Sequence, residues 1–292
     1  PQDGLYNVTV RNVYAWEGGS YRLTVAPSMY PQNCSTPRGD VLVGQMPSDI
    51  IGGTLRYRIL LPPCHAEIGR QWPYALLMHG SNSSDEHWQQ LGADEALTRG
   101  VALGRLPYMA LALPFGGQLA NTNTFREGGS YEYVLVDEFM PFIEGNHCLQ
   151  AERTGRGIGG ISRGGFWAFL VAFRHPELFS ALGGHSPFFD LYHAPASHNP
   201  LALALATPPS PALRVWMDRG QNDYAQLNID LQHERLTQNG IVHTFQLNPV
   251  GQHNNAYWSA HLDDYLAFYS AEWPLDPADL PACAVPAPED VP

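Results

Sequence analysis

The residues best suited to covalent chemistry centre on Gly160-Ile161-Ser162-Arg163-Gly164, a Gly-x-Ser-x-Gly pentapeptide. It follows the apolar run Gly157 to Ile161 and precedes Gly165-Phe-Trp-Ala-Phe-Leu-Val-Ala-Phe173, so it falls at an expected strand-to-helix turn. Glycines on both sides let such a turn close without a side chain striking the strand or the helix, and the central residue carries the strain. Ser162 would then hold its hydroxyl out beyond the sheet. The helix behind it offers free backbone N–H groups and a positive dipole end, both suited to a developing oxyanion, with the Arg163 amide as the natural donor. In a chain with 28 glycines the pentapeptide alone fits a plain glycine-rich turn equally well, so its partners decide.

A hydroxyl is a weak nucleophile at neutral pH and needs a histidine base held in one tautomer by a third group. Of the 12 histidines, His253 stands in a loop after the last apolar run and just before a long helical stretch, where a base is needed. The run Leu213 to Met217 ends in Asp218-Arg-Gly-Gln-Asn-Asp223, which offers two acids. Asp223 lies past the glycine turn and is preferred, while Asp218 remains the alternative. A second oxyanion donor is expected from the amide of Ser81, in Leu76-Leu-Met-His-Gly-Ser-Asn82, with Gly80 allowing the turn and His79 supporting it. Trp88, Phe115, Trp167, His185 and Phe188 are candidates to contact substrate, although each aromatic taken alone fits a core position better. His185, His193 and His198 with Asp190 form a rival, metal-binding constellation, but their spacing matches no compact ligand motif, and a place at the pocket mouth is the better expectation.

The elements that must position these groups change character along the chain. Alternating apolar residues at 5–14, 21–25 and 54–61 point to antiparallel strands at a sheet edge. Beyond residue 74 come short continuous apolar runs at 74–78, 108–113, 157–161, 181–184, 213–217 and 242–247, a pattern of buried parallel strands. Between them helices are expected at 85–99, 131–144, 164–173, 224–238 and 255–273. The fold class is therefore α/β, a mostly parallel sheet covered on both faces. Residues 1–273 read as one domain, with 1–47 a β-rich extension packed on it and 274–292 a proline-rich tail.

Composition narrows the function classes. The chain has 292 residues, 44% of them hydrophobic and only 15% charged. All 16 basic residues are arginine, and with 28 acidic residues the net charge is −12, which repels a phosphate backbone and argues against nucleic acid as a partner. No apolar run approaches the length of a membrane span. Cys34, Cys64, Cys148 and Cys283 are widely spaced, with no zinc-type pairing, and read as two disulfides whose pairing the sequence leaves open. Together with the start at Pro1, they suggest a secreted or periplasmic protein whose signal peptide has been removed.

Taken together, Ile59 to Cys64 (ILLPPC), Ala75 to Gly80 (ALLMHG) with Trp88 downstream, Gly159 to Gly165 (GGISRGG), Gly220 to Asp223 (GQND) and Gly251 to Trp258 (GQHNNAYW) resemble the α/β-hydrolase fold. Within it they are similar to the esterase branch that holds esterase D, feruloyl esterases, enterochelin esterases and the antigen 85 mycolyltransferases. The resemblance spans about residues 48–273. It implies Ser162 as nucleophile, His253 as base and Asp223 as acid, with no cofactor. The expected activity is a serine carboxylesterase acting on a neutral ester, small or polysaccharide-linked. Transfer of the acyl group to an alcohol, and a non-catalytic binding domain on the same fold, are the alternatives. Phe115 to Gly129 and Pro187 to Pro211 fall where the branch carries substrate-specific insertions.

Overall fold

A computed structural model describes residues 33–283, apart from His193 and Pro211. One eight-stranded sheet organises them: β1 (Asp40–Ser48), β2 (Gly53–Leu61), β3 (Tyr74–Met78), β4 (Ala110–Pro114), β5 (Arg156–Ile161), β6 (Ala181–His185), β7 (Arg214–Gly220) and β8 (Thr244–Asn248). Their spatial order is β1-β2-β4-β3-β5-β6-β7-β8. Strands β3 to β8 run parallel, and β2 is antiparallel to both of its neighbours, β1 and β4. Every residue of β3, β4 and β6 is buried, which explains why these strands read as unbroken apolar runs.

Helices cover both faces. Tyr269, in the helix Leu262–Ser270, lies over Gly159 and Gly183, while the next residues along those strands, Gly160 and Gly184, face the helix Arg163–Arg174 and the loop after β6. Successive strand residues point to opposite faces, so the two helices flank the sheet. The helix Arg163–Arg174 buries ten of its twelve residues, from Gly164 to Phe173.

Strands and helices fall largely where the apolar patterns place them, with informative differences. Residues 85–99 do not form one helix: His87–Gln90 and Ala93–Ala102 are separated at Gly92, whose φ of 95° no helix accommodates. The stretch 255–273 likewise divides into Asn255–Ala260 and Leu262–Ser270 at His261. The expected helix at 131–144 has a π-helical middle, Val134–Phe139. Short helices at Gly117–Asn121 and Pro200–Ala206 stand inside the two segments read as insertions. β1 was not anticipated, and its residues 40–47 are an integral edge of the sheet rather than an appendage. The strands expected at 5–14 and 21–25 lie outside the described residues.

All four cysteines pair, Cys34 with Cys64 and Cys148 with Cys283. The first bond ties the segment before β1 to the end of β2. The second anchors residues 280–283, which also bond by backbone to Gly69 and Gln71 and accept the Arg70 guanidinium at the Leu280 carbonyl. Closing a loop of 135 residues restricts the unfolded chain strongly. Replacing Cys148 and Cys283 together by serine should therefore cost about 2–5 kcal/mol of stability, read as a lower urea midpoint. An unchanged midpoint would show that the tail does not stabilise the domain.

Candidate active site

Ser162 caps β5 with φ 55° and ψ −116°, a conformation that side chains rarely adopt and that only surrounding structure can hold. The neighbouring glycines show why. A Cβ on Gly160 would lie 2.3 Å from the Gly164 carbonyl carbon, and one on Gly164 would lie 2.4 Å from the Met78 oxygen. Strand, turn and helix approach so closely that nothing larger than glycine fits at either position. The Ser162 amide donates to the His185 carbonyl (3.2 Å), and its own carbonyl accepts from the amides of Phe188 (2.8 Å) and Phe166 (3.2 Å).

The structure brings Ser162, His253 and Asp223 together from three strand ends. His253 Nε2 lies 2.8 Å from Ser162 Oγ, and its Nδ1 lies 3.0 and 3.2 Å from the two Asp223 carboxylate oxygens. With Nδ1–H donating to the carboxylate, Nε2 is left to accept the serine proton, the tautomer a general base requires. Asp223 is fully buried. Burial alone would raise its carboxyl pKa, but hydrogen bonds from His253 and from the Ala225 amide (2.8 Å) hold it below the ordinary value.

Two loops must meet to make this contact, and their glycines let them. A Cβ on Gly220 would lie 2.4 Å from the Gly251 backbone, and the Gly251 carbonyl accepts from the Asn222 amide at 3.1 Å. Asp218, the alternative acid, faces elsewhere. β7 runs on through Gly220, so Asp218 is a strand residue inside the core, where it takes hydrogen bonds from His185 Nδ1 (2.8 Å), Tyr257 (2.6 Å) and Tyr265 (2.9 Å). Tyr257 stands four residues after His253 and packs on Gly251. The Asp218 carboxylate thus fixes the segment that carries the histidine.

On the other side of Ser162, an ideal Cβ on Gly80 would lie 3.6 Å from the serine Cβ, which places the 79–81 loop beside the hydroxyl. His79 holds that loop. Its Nε2 accepts from the Gly116 amide (2.9 Å), so Nδ1 carries the proton and donates to the Gly80 carbonyl (2.7 Å). Burial lowers its pKa and keeps this neutral form. The Ser81 carbonyl accepts from Asn121 (2.8 Å). Arg163 opens its helix, where no preceding turn supplies a carbonyl for its amide. Its guanidinium, pushed down to about 10 by burial yet still charged at neutral pH, reaches away to the Ala120 carbonyl and Asn123.

The residues expected to contact substrate divide. Phe115 and Phe188 are half-buried near the site, Phe115 stacked on His79 and Phe188 bonded by its amide to the elbow. Trp88, Trp167 and His185 are instead enclosed in the core. The indoles of Trp88 and Trp167 donate to the Met78 and Ala120 carbonyls (3.2 and 2.8 Å). His185 lies between Asp218 and the Tyr269 hydroxyl, stacked on Tyr265. A fully paired side chain inside the sheet layer reaches no pocket mouth. The same pairing takes His185 out of the metal constellation, His198 packs against Phe125, and His193 lies outside the described residues. Tyr224, which sequence reading assigned only to a helix start, covers the outer side of His253, with ring centroids 4.4 Å apart. Its adjacency to Asp223 was the one available signal.

Comparison with known proteins agrees with this architecture. The chain is 25% identical over 180 residues to an endo-1,4-beta-xylanase/feruloyl esterase of Xylanibacter ruminicola, covering 58% of this chain and 24% of that protein. It is 28% identical over 142 residues to an esterase of Mycobacterium tuberculosis, covering 47% and 30%. The chain thus spans a quarter to a third of the length of these curated relatives. Among solved structures, a ferulic acid esterase superposes with TM-score 0.72 at 20% identity, over 81% of this chain and 99% of that one. An S-formylglutathione hydrolase of Staphylococcus aureus gives 0.66 at 17%, over 79% and 98%. These likenesses show the α/β-hydrolase fold. The family model described as "Putative esterase" matches residues 48–269, most of the chain and all three strand ends that meet at Ser162, so the chain belongs to this esterase family.

Proposed function

We propose that the chain is a serine carboxylesterase working through an acyl-enzyme, exported from the cell, with Ser162, His253 and Asp223 as its catalytic residues. The observation that carries this reading is the relay of 2.8 Å and 3.0 Å contacts from Ser162 through His253 to Asp223, on a serine held in a strained elbow. Ser162 Oγ attacks the ester carbonyl as His253 Nε2 takes its proton. The oxyanion is received by the amides of Arg163 and Ser81. His253 then returns the proton to the departing alcohol, and water repeats the cycle in reverse order to release the acid. Asp223 stays ionised throughout and steadies the imidazolium.

The charge of −12 disfavours anionic substrates, so neutral esters are the class proposed. Aromatic acyl esters lead among them, since relatives carry the names feruloyl esterase and ferulic acid esterase. Export rests on the two disulfides and on the name of the xylanase-linked relative.

The direct test is hydrolysis of a panel of p-nitrophenyl esters. Ser162→Ala should lower kcat by about 10⁶-fold, and Asp223→Asn, which leaves the imidazole without its orienting anion, by about 10⁴-fold. Wild-type rates in either variant would refute the assignment. The depressed Asp223 carboxyl also has a consequence for acid stability. Its ionised form stabilises the native state above the ordinary carboxyl pKa, and that contribution is lost as pH falls through the lowered value. Asp223→Asn should therefore flatten the fall of unfolding free energy at acid pH, measured by urea titration at a series of pH values. An identical acid slope would contradict it.

A further inference from the structure

The loop after β3 and the segment after β8 leave the sheet four strands apart, with β5, β6 and β7 between them. At the usual strand spacing that is a gap of about 19 Å. Both must nevertheless close on Ser162, one bringing Gly80 and Ser81 and the other His253. In a site of this kind a misplacement of about 1 Å can cost about 10²-fold in rate. Sheet pairing does not join the two segments, so a side chain that ties one to the other directly bears on the chemistry.

His87 makes that tie from the one-turn helix His87–Gln90. Backbone bonds from the Ser83 amide to the Gly80 carbonyl (3.1 Å) and from the His87 amide to the Ser84 carbonyl (3.0 Å) fold residues 80–87 into two consecutive turns. The imidazole returns against the loop: its Cε1 lies 4.0 Å from an ideal Cβ on Gly80, a point that is itself 3.6 Å from the Ser162 Cβ. Next to it, Trp88 grips the end of β3 through its bond to the Met78 carbonyl. On the other side the His87 Nε2–H donates to Asn255 Oδ1 (3.0 Å), two residues after His253. Trp258 packs edge-on against both imidazoles, 5.7 Å from His87 and 5.1 Å from His253 between centroids. Ser259 adds a further link by donating to the Leu91 carbonyl (2.8 Å). His87 is 2% exposed, and burial lowers its pKa against the opposing effect of the Asn255 bond, so the ring is neutral with its one N–H committed to Asn255. Its Nδ1 has no hydrogen-bond partner among the described residues, which leaves Asn255 as the ring's only polar anchor.

We infer that His87 is a positioning residue that locks the 79–81 loop to the segment carrying His253, so that oxyanion donor and base keep their places on opposite sides of Ser162. This rests on the serine esterase reading above. His87 acts through Asn255 and Gly80 and takes no part in proton transfer. Such a brace serves the geometry reached in the transition state, so its loss should appear in kcat, with KM unchanged.

The test measures kcat and KM on p-nitrophenyl acetate, and the rate of fluorophosphonate labelling, for the wild type, His87→Leu, His87→Gln, Asn255→Ala, the double variant His87→Leu/Asn255→Ala, and Ser162→Ala. His87→Leu and Asn255→Ala should each lower kcat about tenfold at unchanged KM, with labelling slowed in proportion. The double variant should lose no more than either single one, the mark of one shared contact. His87→Gln, whose amide N–H can replace Nε2–H as donor to Asn255, should recover most of the rate. Wild-type kcat in Asn255→Ala, losses that multiply in the double variant, a change confined to KM, or His87→Gln as slow as His87→Leu would each overturn the assignment. Should His87→Leu fail to fold, Asn255→Ala and His87→Gln still decide it. Full activity in Ser162→Ala, or no turnover by the wild type, would instead sink the underlying esterase reading.

Discussion

The close approach of β3, β5 and the helix Arg163–Arg174 around Ser162 is the constraint on which the rest of the site depends. Contacts of 2.3 and 2.4 Å to a would-be Cβ at Gly160 and Gly164 leave the chain one path, and that path forces Ser162 to φ 55°. Backbone strain of this kind costs about 1–3 kcal/mol and persists only where packing overdetermines it. Here the packing is the ten-residue buried face of the helix and the fully buried strands on either side. In return the hydroxyl stands clear of the sheet, beside the first N–H groups of a helix and a glycine loop.

In the proposed mechanism a fixed serine requires an equally fixed histidine, and loops alone would not supply one. The Gly220 and Gly251 backbones touch, which locks the Asp223 loop to the His253 loop. Beneath them Asp218 gathers His185, Tyr257 and Tyr265 into a buried polar cluster. A buried carboxylate is costly unless fully bonded, so the cluster tolerates few alternative arrangements. The two aspartates therefore divide the work: Asp223 orients the imidazole directly, and Asp218 fixes the segment on which the imidazole is mounted. His79 does the same for the opposite loop by bridging Gly80 and Gly116.

Much of this was legible in the sequence because the signals are local. The glycines around Ser162 announce a sharp turn, the unbroken apolar runs announce buried parallel strands, and the late positions of Asp223 and His253 follow from needing both at strand ends. What escaped depends on contacts distant in sequence. Trp88, Trp167 and His185 were kept as candidate substrate contacts, although each aromatic alone fitted a core better, because type and spacing do not distinguish a pocket lining from a core. Only the neighbours that enclose them, Met78, Ala120, Asp218 and Tyr269, decide for the core. β1 was missed because its exposed edge position weakens the apolar pattern. Tyr224 looked like the first residue of a helix until the loops placed it over His253.

The most direct test of the account is covalent: incubate the protein with a fluorophosphonate, measure the intact mass, and map the adduct by peptide sequencing. One phosphonyl group per chain, carried on Ser162 and formed at a rate that collapses in His253→Ala, is the predicted result. Labelling at another residue, or none at all in a folded protein, would contradict the claim that the strained elbow presents an activated serine.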